Sequence, residues 1–301
     1  MSYRILVTGV GGPAGRSAAR YFKSKGHTVI GTDIREVASD ADEFISVPPA
    51  LEPGYTASLL QIIRDRRPAL LVPTVTEELL TVARLRGEIE GLGCMVSISS
   101  PSAVEVANDK LQTARFMLER GVCVPITRGL ETPRHDVARD LGLPLIAKPC
   151  FGRGGRGVAV HTTLDDVLRE DRKGILFQEF IPGDEFDINL FVADGARPRA
   201  AVSLRKTELK EGLVGNAVAV VRETNQEAVD LCLRAASLLG LEGPLDFDVR
   251  LRKDGTPALL EINARLGGNS LHSVEVLDSL HGCFIERAEG RQEFAPRHSK
   301  A

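Results

Sequence analysis

Between Gly243 and Arg265 the chain reads GPLDFDVRLRKDGTPALLEINAR, two runs of alternating apolar and polar residues about an Asp-Gly pair. Asp254-Gly255 between such runs predicts a β-hairpin closed by a two-residue turn. That turn sets Asp248 opposite Glu261 and Asp246 opposite Asn263. Strand side chains alternate faces, so these four polar residues share one face, and Phe247, Val249, Leu260 and Ile262 share the other. Carboxylates directly opposite one another repel, and a cation between them removes that cost. Two carboxylates and a carboxamide are hard oxygen donors, suited to Mg²⁺ rather than to zinc. The same hairpin also reads as a half-solvated antiparallel sheet with its acids on the wet side. The hairpin alone leaves both readings open.

With 301 residues, the chain has room for two or three domains. A net charge of −3, with 26% charged residues, gives no electrostatic case for nucleic acid or an anionic membrane as partner. No apolar run approaches the ~18 residues of a membrane-spanning helix, and the start, MSYRILVTGV, runs into a strand rather than a signal peptide. The cysteines at 94, 123, 150, 232 and 283 are odd in number and form no CxxC pair. This argues against a disulfide framework or zinc site and for a reducing, cytoplasmic setting. Cys150 reads as a space-filler, since no His partner is evident nearby.

Residues 3 to about 105 alternate strand and helix. Strands are expected at Arg4–Thr8, Thr28–Asp33, Ala69–Pro73 and Met95–Ser99, and helices at Ala14–Lys25, Ala57–Arg66 and Glu77–Glu90. The alternation implies a parallel sheet covered by helices. Asn108 is the expected N-cap of a helix over Asp109–Arg120, closed by Gly121. Beyond it come short strands at Leu145–Lys148, Val158–His161, Leu176–Phe180, Phe186–Ala193, Ala200–Leu204 and Val214–Val221. One amphipathic helix, Gln226–Leu239, leads into the opening hairpin, and one closing helix follows Leu271.

Two glycine loops stand out. Thr8-Gly9-Val10-Gly11-Gly12-Pro13-Ala14-Gly15 follows a strand and opens a helix, with Asp33 ending the next strand. This fits a dinucleotide fingerprint, but equally a tight strand-to-helix turn that binds no dinucleotide. The TGxxGxxG spacing resembles the short-chain dehydrogenase/reductase family. Its Tyr-xxx-Lys pair appears here as Tyr21 and Lys25, immediately after the loop rather than far along the chain, and is discounted. The second loop, Lys148-Pro149-Cys150-Phe151-Gly152-Arg153-Gly154-Gly155-Arg156-Gly157, lacks a Walker pattern. Its glycines let backbone amides approach a ligand, and its arginines add charge, a combination suited to polyphosphate. A solubilising hairpin tip is the alternative.

In order along the chain, VTGVGG, PTVTEE, Asn108-Asp109-Lys110, GVCVPIT, LPLIAKP with its glycine loop, LFQEFIPGDEFDIN and LLEINARLGGNS resemble the ATP-grasp superfamily. The resemblance is closest to the carbamoyl phosphate synthase large-subunit type and related carboxylate–amine ligases. It implies an α/β fold, α+β in its C-terminal part, with a Rossmann-like pre-ATP-grasp domain (1–107) followed by a two-lobed ATP-grasp fold. The lobes would be a central and lid part (108–185) and a C-terminal part with the metal site (186–301).

The resemblance also implies roles. Lys110 and Lys148 contact ATP. Gly152, Arg153, Gly154, Gly155 and Gly157 form a lid over the triphosphate. The backbone of Gln178, Glu179, Phe180 and Ile181 reads adenine, and Glu185 holds the ribose. Asp248, Glu261 and Asn263 hold two Mg²⁺ ions, for which Mn²⁺ can substitute, and Arg265 stabilises charge on the transferred phosphoryl group. Arg205, Lys206 and Lys210 are candidates for phosphate or an anionic substrate, with a charged strand surface as the other reading. Gly267 and Gly268 are candidates for substrate contact. His272, just beyond, reads as structural.

The expected reaction is ADP-forming ligation of a carboxylate, through its acyl phosphate, to an amine, with amino-acid-like small molecules as partners and a homodimer as the common family arrangement. Only 36 residues follow Arg265, so full carbamoyl phosphate synthesis by this chain alone is not expected. The competing functions are an NAD(P)-dependent reductase using the first glycine loop and a non-catalytic ATP-binding regulatory module.

Overall fold

The computed structural model describes residues 1–152, 154–193, 197–210, 212, 215 and 217–293. Three sheets organise them. The first is parallel, in the order β3-β2-β1-β4-β5: β1 Arg4–Thr8, β2 Thr28–Asp33, β3 Glu43–Ser46, β4 Leu70–Val72 and β5 Met95–Val96. Helices α1 Pro13–Ser24, α2 Tyr55–Arg66, α3 Leu79–Arg84 and α4 Arg86–Gly91 belong to this unit. Helices α5 Pro101–Asn108 and α6 Lys110–Glu119 lead out of it.

The second sheet is antiparallel, in the order β6-β9-β7-β8: β6 Thr127–Arg128, β7 Leu145–Pro149, β8 Ala159–His161 and β9 Ile175–Glu179, with α7 Arg134–Leu141 and α8 Leu164–Arg169. The third is antiparallel, in the order β12-β11-β10-β13-β14: β10 Glu185–Ala193, β11 Arg197–Leu209, β12 Ala217–Arg222, β13 Gly243–Leu251 and β14 Pro257–Asn263, with α9 Gln226–Leu239 and α10 Val274–Glu293. Mixed α/β architecture with a Rossmann-like first unit thus follows the expected class.

Several elements differ from the sequence expectation. The stretch expected as one helix over Glu77–Glu90 is a 3₁₀ turn, Thr76–Glu78, followed by α3 and α4, which meet at Leu85. The N-cap of α6 is Asp109, not Asn108; its Oδ1 accepts from Leu111 N at 2.9 Å and Gln112 N at 3.1 Å. Asn108 instead ends α5, a helix not foreseen although Ser100 caps it and Pro101 opens it. The edge strand β3 was also unforeseen. Within the expected strand Val214–Val221, Val214 and Asn216 lie outside the described residues.

The parallel unit and the third sheet are packed together. One apolar core joins α2 and α3 to β10, β13 and α9 through Leu59, Val82, Ile188, Phe247 and Cys232. A second joins β1 and α1 to α10 through Val7, Phe22, Leu277 and Phe284. The central cleft therefore has a fixed back wall, and the smaller second sheet, with its own core around Val137 and Phe177, forms the opposite side.

The hairpin of β13 and β14 reaches the expected register by an unexpected route. Its loop has three residues, not two: Arg252 and Thr256 pair across Lys253-Asp254-Gly255, with Gly255 at φ +86°. A three-residue loop ending in a left-handed residue is the next commonest hairpin connection. The shorter pairing runs as far as Val249↔Leu259, then a bulge restores Asp248↔Glu261 and Asp246↔Asn263. Leu260 is the extra residue. It faces the cleft, and Leu259 takes the core position expected of Leu260.

Candidate functional site

A cleft of about 740 Å³ lies where the three sheets meet. Its floor is the polar face of the third sheet. The β10–β13 register sets Asp187 beside Asp248 and Asn189 beside Asp246, while β13–β14 continues the rows to Glu261 and Asn263. Five carboxylates, those of Glu185, Asp187, Asp246, Asp248 and Glu261, thus occupy one face. Buried charges persist only when paired or hydrogen-bonded, and the pairing here is specific. Lys206 Nζ lies 2.7 Å from Glu185 Oε1 and 2.6 Å from Asp248 Oδ1. Arg250 holds the other oxygen of Glu185 at 2.8 Å. Lys110 Nζ is 3.5 Å from Glu261 Oε2, and Arg265 is 3.3 Å from Asp246 Oδ2. Asp187 accepts from two amides, Asn189 Nδ2 at 2.5 Å and Asn269 Nδ2 at 2.7 Å.

The electrostatics follow from burial. Desolvation would lower Lys206, but Asp248, Glu185 and Asp187 override it and hold the ammonium well above its usual range. Lys148 has less compensation: burial lowers it to about 8, against the pull of Glu261. Asp246 is pushed well above the usual carboxyl range, first by burial and then by Asp187, with which it shares a hydrogen bond.

Each expected site residue has a definite place. Lys148 lines the cleft, with Nζ 3.4 Å from the Leu260 carbonyl. Lys110 lies behind it; its backbone N–H donates to Cys150 O and its Nζ to Gly152 O at 2.8 Å, tying the start of α6 to the root of the glycine loop. Gly154 and Gly155 line the cleft, whereas Gly152 and Gly157 sit at the ends of the loop. Gly155, at φ +68°, packs so closely on Gly215 that a Cβ would come within 2.6 Å of its Cα. Arg153 lies outside the described residues.

Gln178, Glu179, Ile181 and Glu185 line the cleft; the Phe180 ring lies under the Arg250 guanidinium instead. Asp248, Glu261, Asn263, Arg265 and Gly268 all border the cleft, while Gly267 lies just behind, against Asp246. The group around Arg205 does not act together: Arg205 pairs with Glu223 on the surface, Lys206 is buried among carboxylates, and only Lys210 is exposed at the rim. His272 is exposed. The Cys150 thiol is raised by burial, which suits a space-filler.

Two cleft residues on the sheet side, Asp187 and Asn269, escaped the sequence expectation, as did Thr76 of the first unit, which is buried behind Arg265. The polar alternation Glu185, Asp187, Asn189 carried a signal for the first. Thr76 Oγ1 accepts from Arg265 Nε at 3.2 Å. Its turn is held by the buried carboxylate of Glu78, which accepts from the Thr8 and Tyr55 hydroxyls, from Thr74 N at 3.1 Å and from Val75 N at 3.0 Å. Burial still raises the Glu78 carboxyl, against these hydrogen bonds.

The first glycine loop is a close-packed turn. Gly11 N donates to Asp33 Oδ2 at 2.9 Å, so the acid that a dinucleotide reading reserves for a ribose already caps the loop. Tyr21 and Lys25 both bind Asp278 on α10, at 2.6 and 3.1 Å, and burial raises the phenol further. That pair is not arranged for hydride chemistry.

Asp248, Glu261 and Asn263 fit Mg²⁺ in donor type, and ammonium groups now neutralise the two carboxylates that a cation would. Among the described residues no three His, Cys, Asp or Glu converge tightly enough to hold a metal alone, so a carboxamide and ligand oxygens have to complete such a site. No helix among them is long and apolar enough to cross a membrane.

Comparisons with known proteins identify the family of the fold. Residues 5–97 match the PylC-like N-terminal domain, and residues 107–269 match the ATP-grasp domain. The carbamoyl phosphate synthase large chain of Deinococcus deserti is 26% identical over 232 residues, covering 71% of this chain and 22% of its own. The D-alanine–D-alanine ligase of Cupriavidus taiwanensis is 28% identical over 220 residues, covering 62% of this chain and 64% of its own. This chain thus spans about a fifth of the first relative and under two thirds of the second. Among solved structures, the L-amino acid ligase of Bacillus licheniformis superposes with a TM-score of 0.67 at 19% identity, over 90% of this chain and 68% of that one. The matched domain takes in more than half of the residues, and the chain belongs to the ATP-grasp family.

Proposed function

We propose that this protein is an ADP-forming ligase that activates a carboxylate with ATP as its acyl phosphate and joins it to an amine. The observation that carries the reading is the alignment of Asp248, Glu261 and Asn263 across β13 and β14, with Lys148 and Arg265 at the same cleft and a glycine loop across it. A carboxylate is a poor acyl donor until its oxygen carries a good leaving group, and phosphoryl transfer needs positioning and charge neutralisation more than covalent help.

The second glycine loop offers backbone amides to the triphosphate, and Lys148 offers a desolvated ammonium. Glu179 to Ile181 present backbone at the adenine end, and Glu185 lies where a ribose is expected. Asp248, Glu261 and Asn263 would hold Mg²⁺, or Mn²⁺ in its place, which when bound supplies charge neutralisation to the phosphates. Arg265, anchored by Thr76, faces the acyl centre and stabilises its developing negative charge. Packing of Gly155 on Gly215 excludes water from an intermediate that water would destroy. The five free cysteines suit a reducing cytoplasm.

The test is ADP release from Mg·ATP with pooled small carboxylates, with hydroxylamine present to capture acyl phosphate as hydroxamate. ADP and hydroxamate appearing together, and lost in Glu261→Gln, support the reading. AMP and pyrophosphate would sink the acyl-phosphate route.

A further inference from the structure

The Tyr21–Lys25 pair, unsuited to hydride chemistry, belongs to a polar cluster remote from the cleft. Tyr3 and His27 stand immediately before β1 and β2, whose other ends, Thr8 and Asp33, border the cleft. Six extended residues span about 20 Å, so the cluster and the cleft lie at opposite ends of the same strands. Helix α10 lies against the cluster. Tyr21 OH donates to Asp278 Oδ1 at 2.6 Å, Lys25 Nζ lies 3.1 Å from the same oxygen, and His27 Nε2 meets His281 Nε2 at 2.9 Å.

Donors and acceptors fix the protons of this histidine pair. Tyr3 N–H donates to His27 Nδ1 at 3.2 Å, so Nδ1 is the bare nitrogen and Nε2 carries the proton of the neutral ring. His27 Nε2–H then donates to His281, whose own Nε2 has to be bare. A further proton has no place in this row. On His281 Nε2 it would face His27 Nε2–H, and on His27 Nδ1 it would face Tyr3 N–H. Either way a hydrogen bond becomes an encounter of two donors.

The surroundings give an imidazolium little help. His27 is 5% exposed. The rings of Tyr3, Phe22 and Phe284 pack on His27, and those of Tyr21, Phe22 and Phe284 on His281. The charged groups that face the pair are the N-terminal ammonium, on the His27 side, and Lys25 and Asp278, on the His281 side. Asp278 alone favours a cation, and it is already shared by Tyr21 and Lys25. Burial, then the other imidazole and the N-terminus, hold His27 below its usual value. Burial, then Lys25, hold His281 below its own against the pull of Asp278.

We propose that His27 and His281 form a proton-operated latch, which when neutral fastens the second half of α10, from Asp278 onward, to the first unit and when protonated releases it. The docked form excludes protons that the undocked or unfolded chain takes up. The contribution of the latch is therefore complete above the ordinary histidine range, about pH 6.5, and is lost as pH falls below it. Helix α10 starts at Val274, shortly after Gly268 and Asn269 of the cleft, so release at one end loosens the helix that follows the cleft wall at the other. The inference goes beyond the ligase reading and does not depend on it.

The test is hydrogen exchange of the full chain, read by mass spectrometry at pH 7.5 and 5.5 and corrected for the intrinsic pH dependence of amide exchange. Peptides covering residues 278–293 should lose protection about tenfold at the lower pH, and those covering α9 should not. His281→Gln keeps an acceptor for His27 Nε2–H but takes up no proton, and its α10 peptides should lose markedly less. Equal loss in wild type and folded His281→Gln, or no loss in wild type, overturns the proposal. The imidazole ¹⁵N shifts of the wild type are a second measurement that needs no variant to fold. At pH 7.5 both rings should be neutral, with the His27 proton on Nε2; a charged ring, or a His27 proton on Nδ1, overturns the latch. Protection of the same peptides by Zn²⁺, abolished in His281→Gln, assigns the pair to a metal and also overturns it.

Discussion

Replacing Lys206 with Met tests whether the floor of the cleft is built around cations. The ammonium bridges Glu185 and Asp248 at 2.7 and 2.6 Å, and only 6% of its side chain is exposed. After Lys206→Met, Glu185 keeps Arg250, whereas Asp248 loses its ion-pair partner. Breaking a buried pair costs about 3–5 kcal/mol. Asp248 keeps 26% of its side-chain surface, which places the cost near the low end, about 3 kcal/mol. At about 2.1 cal/mol/K per residue, the 301 residues give an unfolding entropy of about 0.6 kcal/mol/K, so Tm should fall by about 5 °C. If Asp248 is a metal ligand, Mg²⁺ takes over the missing charge, and a concentration of about 100 Kd returns about 2.7 kcal/mol. Thermal melts with and without Mg²⁺ read both effects. The metal-induced rise should be larger in the variant, because in wild type Mg²⁺ must first displace Lys206. An equal rise in both proteins, or no loss of stability, would refute the reasoning.

Gly15→Ala probes the first glycine loop without any substrate. The new Cβ would meet only backbone, Gly9 O at 2.2 Å and Val10 Cα at 2.9 Å, so urea denaturation should show a loss of about 1–3 kcal/mol, and an unchanged midpoint would contradict the packing account. Thr76→Val removes the acceptor for Arg265 Nε; a hydrogen bond to a charged group is worth about 1.5–3 kcal/mol, so carboxylate-dependent turnover should fall about 10- to 100-fold with KM for ATP little changed, and Thr76→Ser should restore it. Because burial lowers Lys148 to about 8, its positive charge is present below that pH and lost above it. ATP affinity measured by fluorescence or calorimetry should therefore weaken as pH rises through about 8, and Lys148→Met should flatten that profile.

Local signals were the legible ones. Helix α9 runs over the expected residues because Asn225 caps its start through Ala228 N and Gly240, at φ +64°, ends it. The Asp248–Glu261 row follows from the polar alternation of the two strands, although the turn expected to set it is replaced by a three-residue loop and a bulge. What the hairpin could not disclose was β10: its Asp187 and Asn189 reach the same face only through a pairing with a strand far along the chain. In the sequence Lys206 reads either as an anion contact or as surface charge, yet the third sheet carries it in among carboxylates. The break at Leu85 has only Gly87, two residues on and inside α4, to announce it; the segment packs as α3 and α4 on different neighbours, with Leu79 and Val82 in the large core. Thr76 stood inside the PTVTEE segment, but its link to Arg265 crosses between two units that no local pattern connects.

The bulge at Leu260 means that the facing acids do not record the turn that joins their strands. A two-residue loop with an unbroken ladder and a three-residue loop with one bulge deliver the same partners at the same spacing in the chain. The middle of the hairpin can therefore carry or lose its extra residue while the acids keep their partners. Deleting Leu260 alone would remove the bulge, bring Glu261 directly after Leu259 and keep it opposite Asp248 on the cleft face, with the tip untouched. The extra residue also bends a peptide group out of the ladder, and its carbonyl is the oxygen nearest the Lys148 ammonium. One inserted residue thus leaves the acids in phase and gives the opposing lysine its resting place.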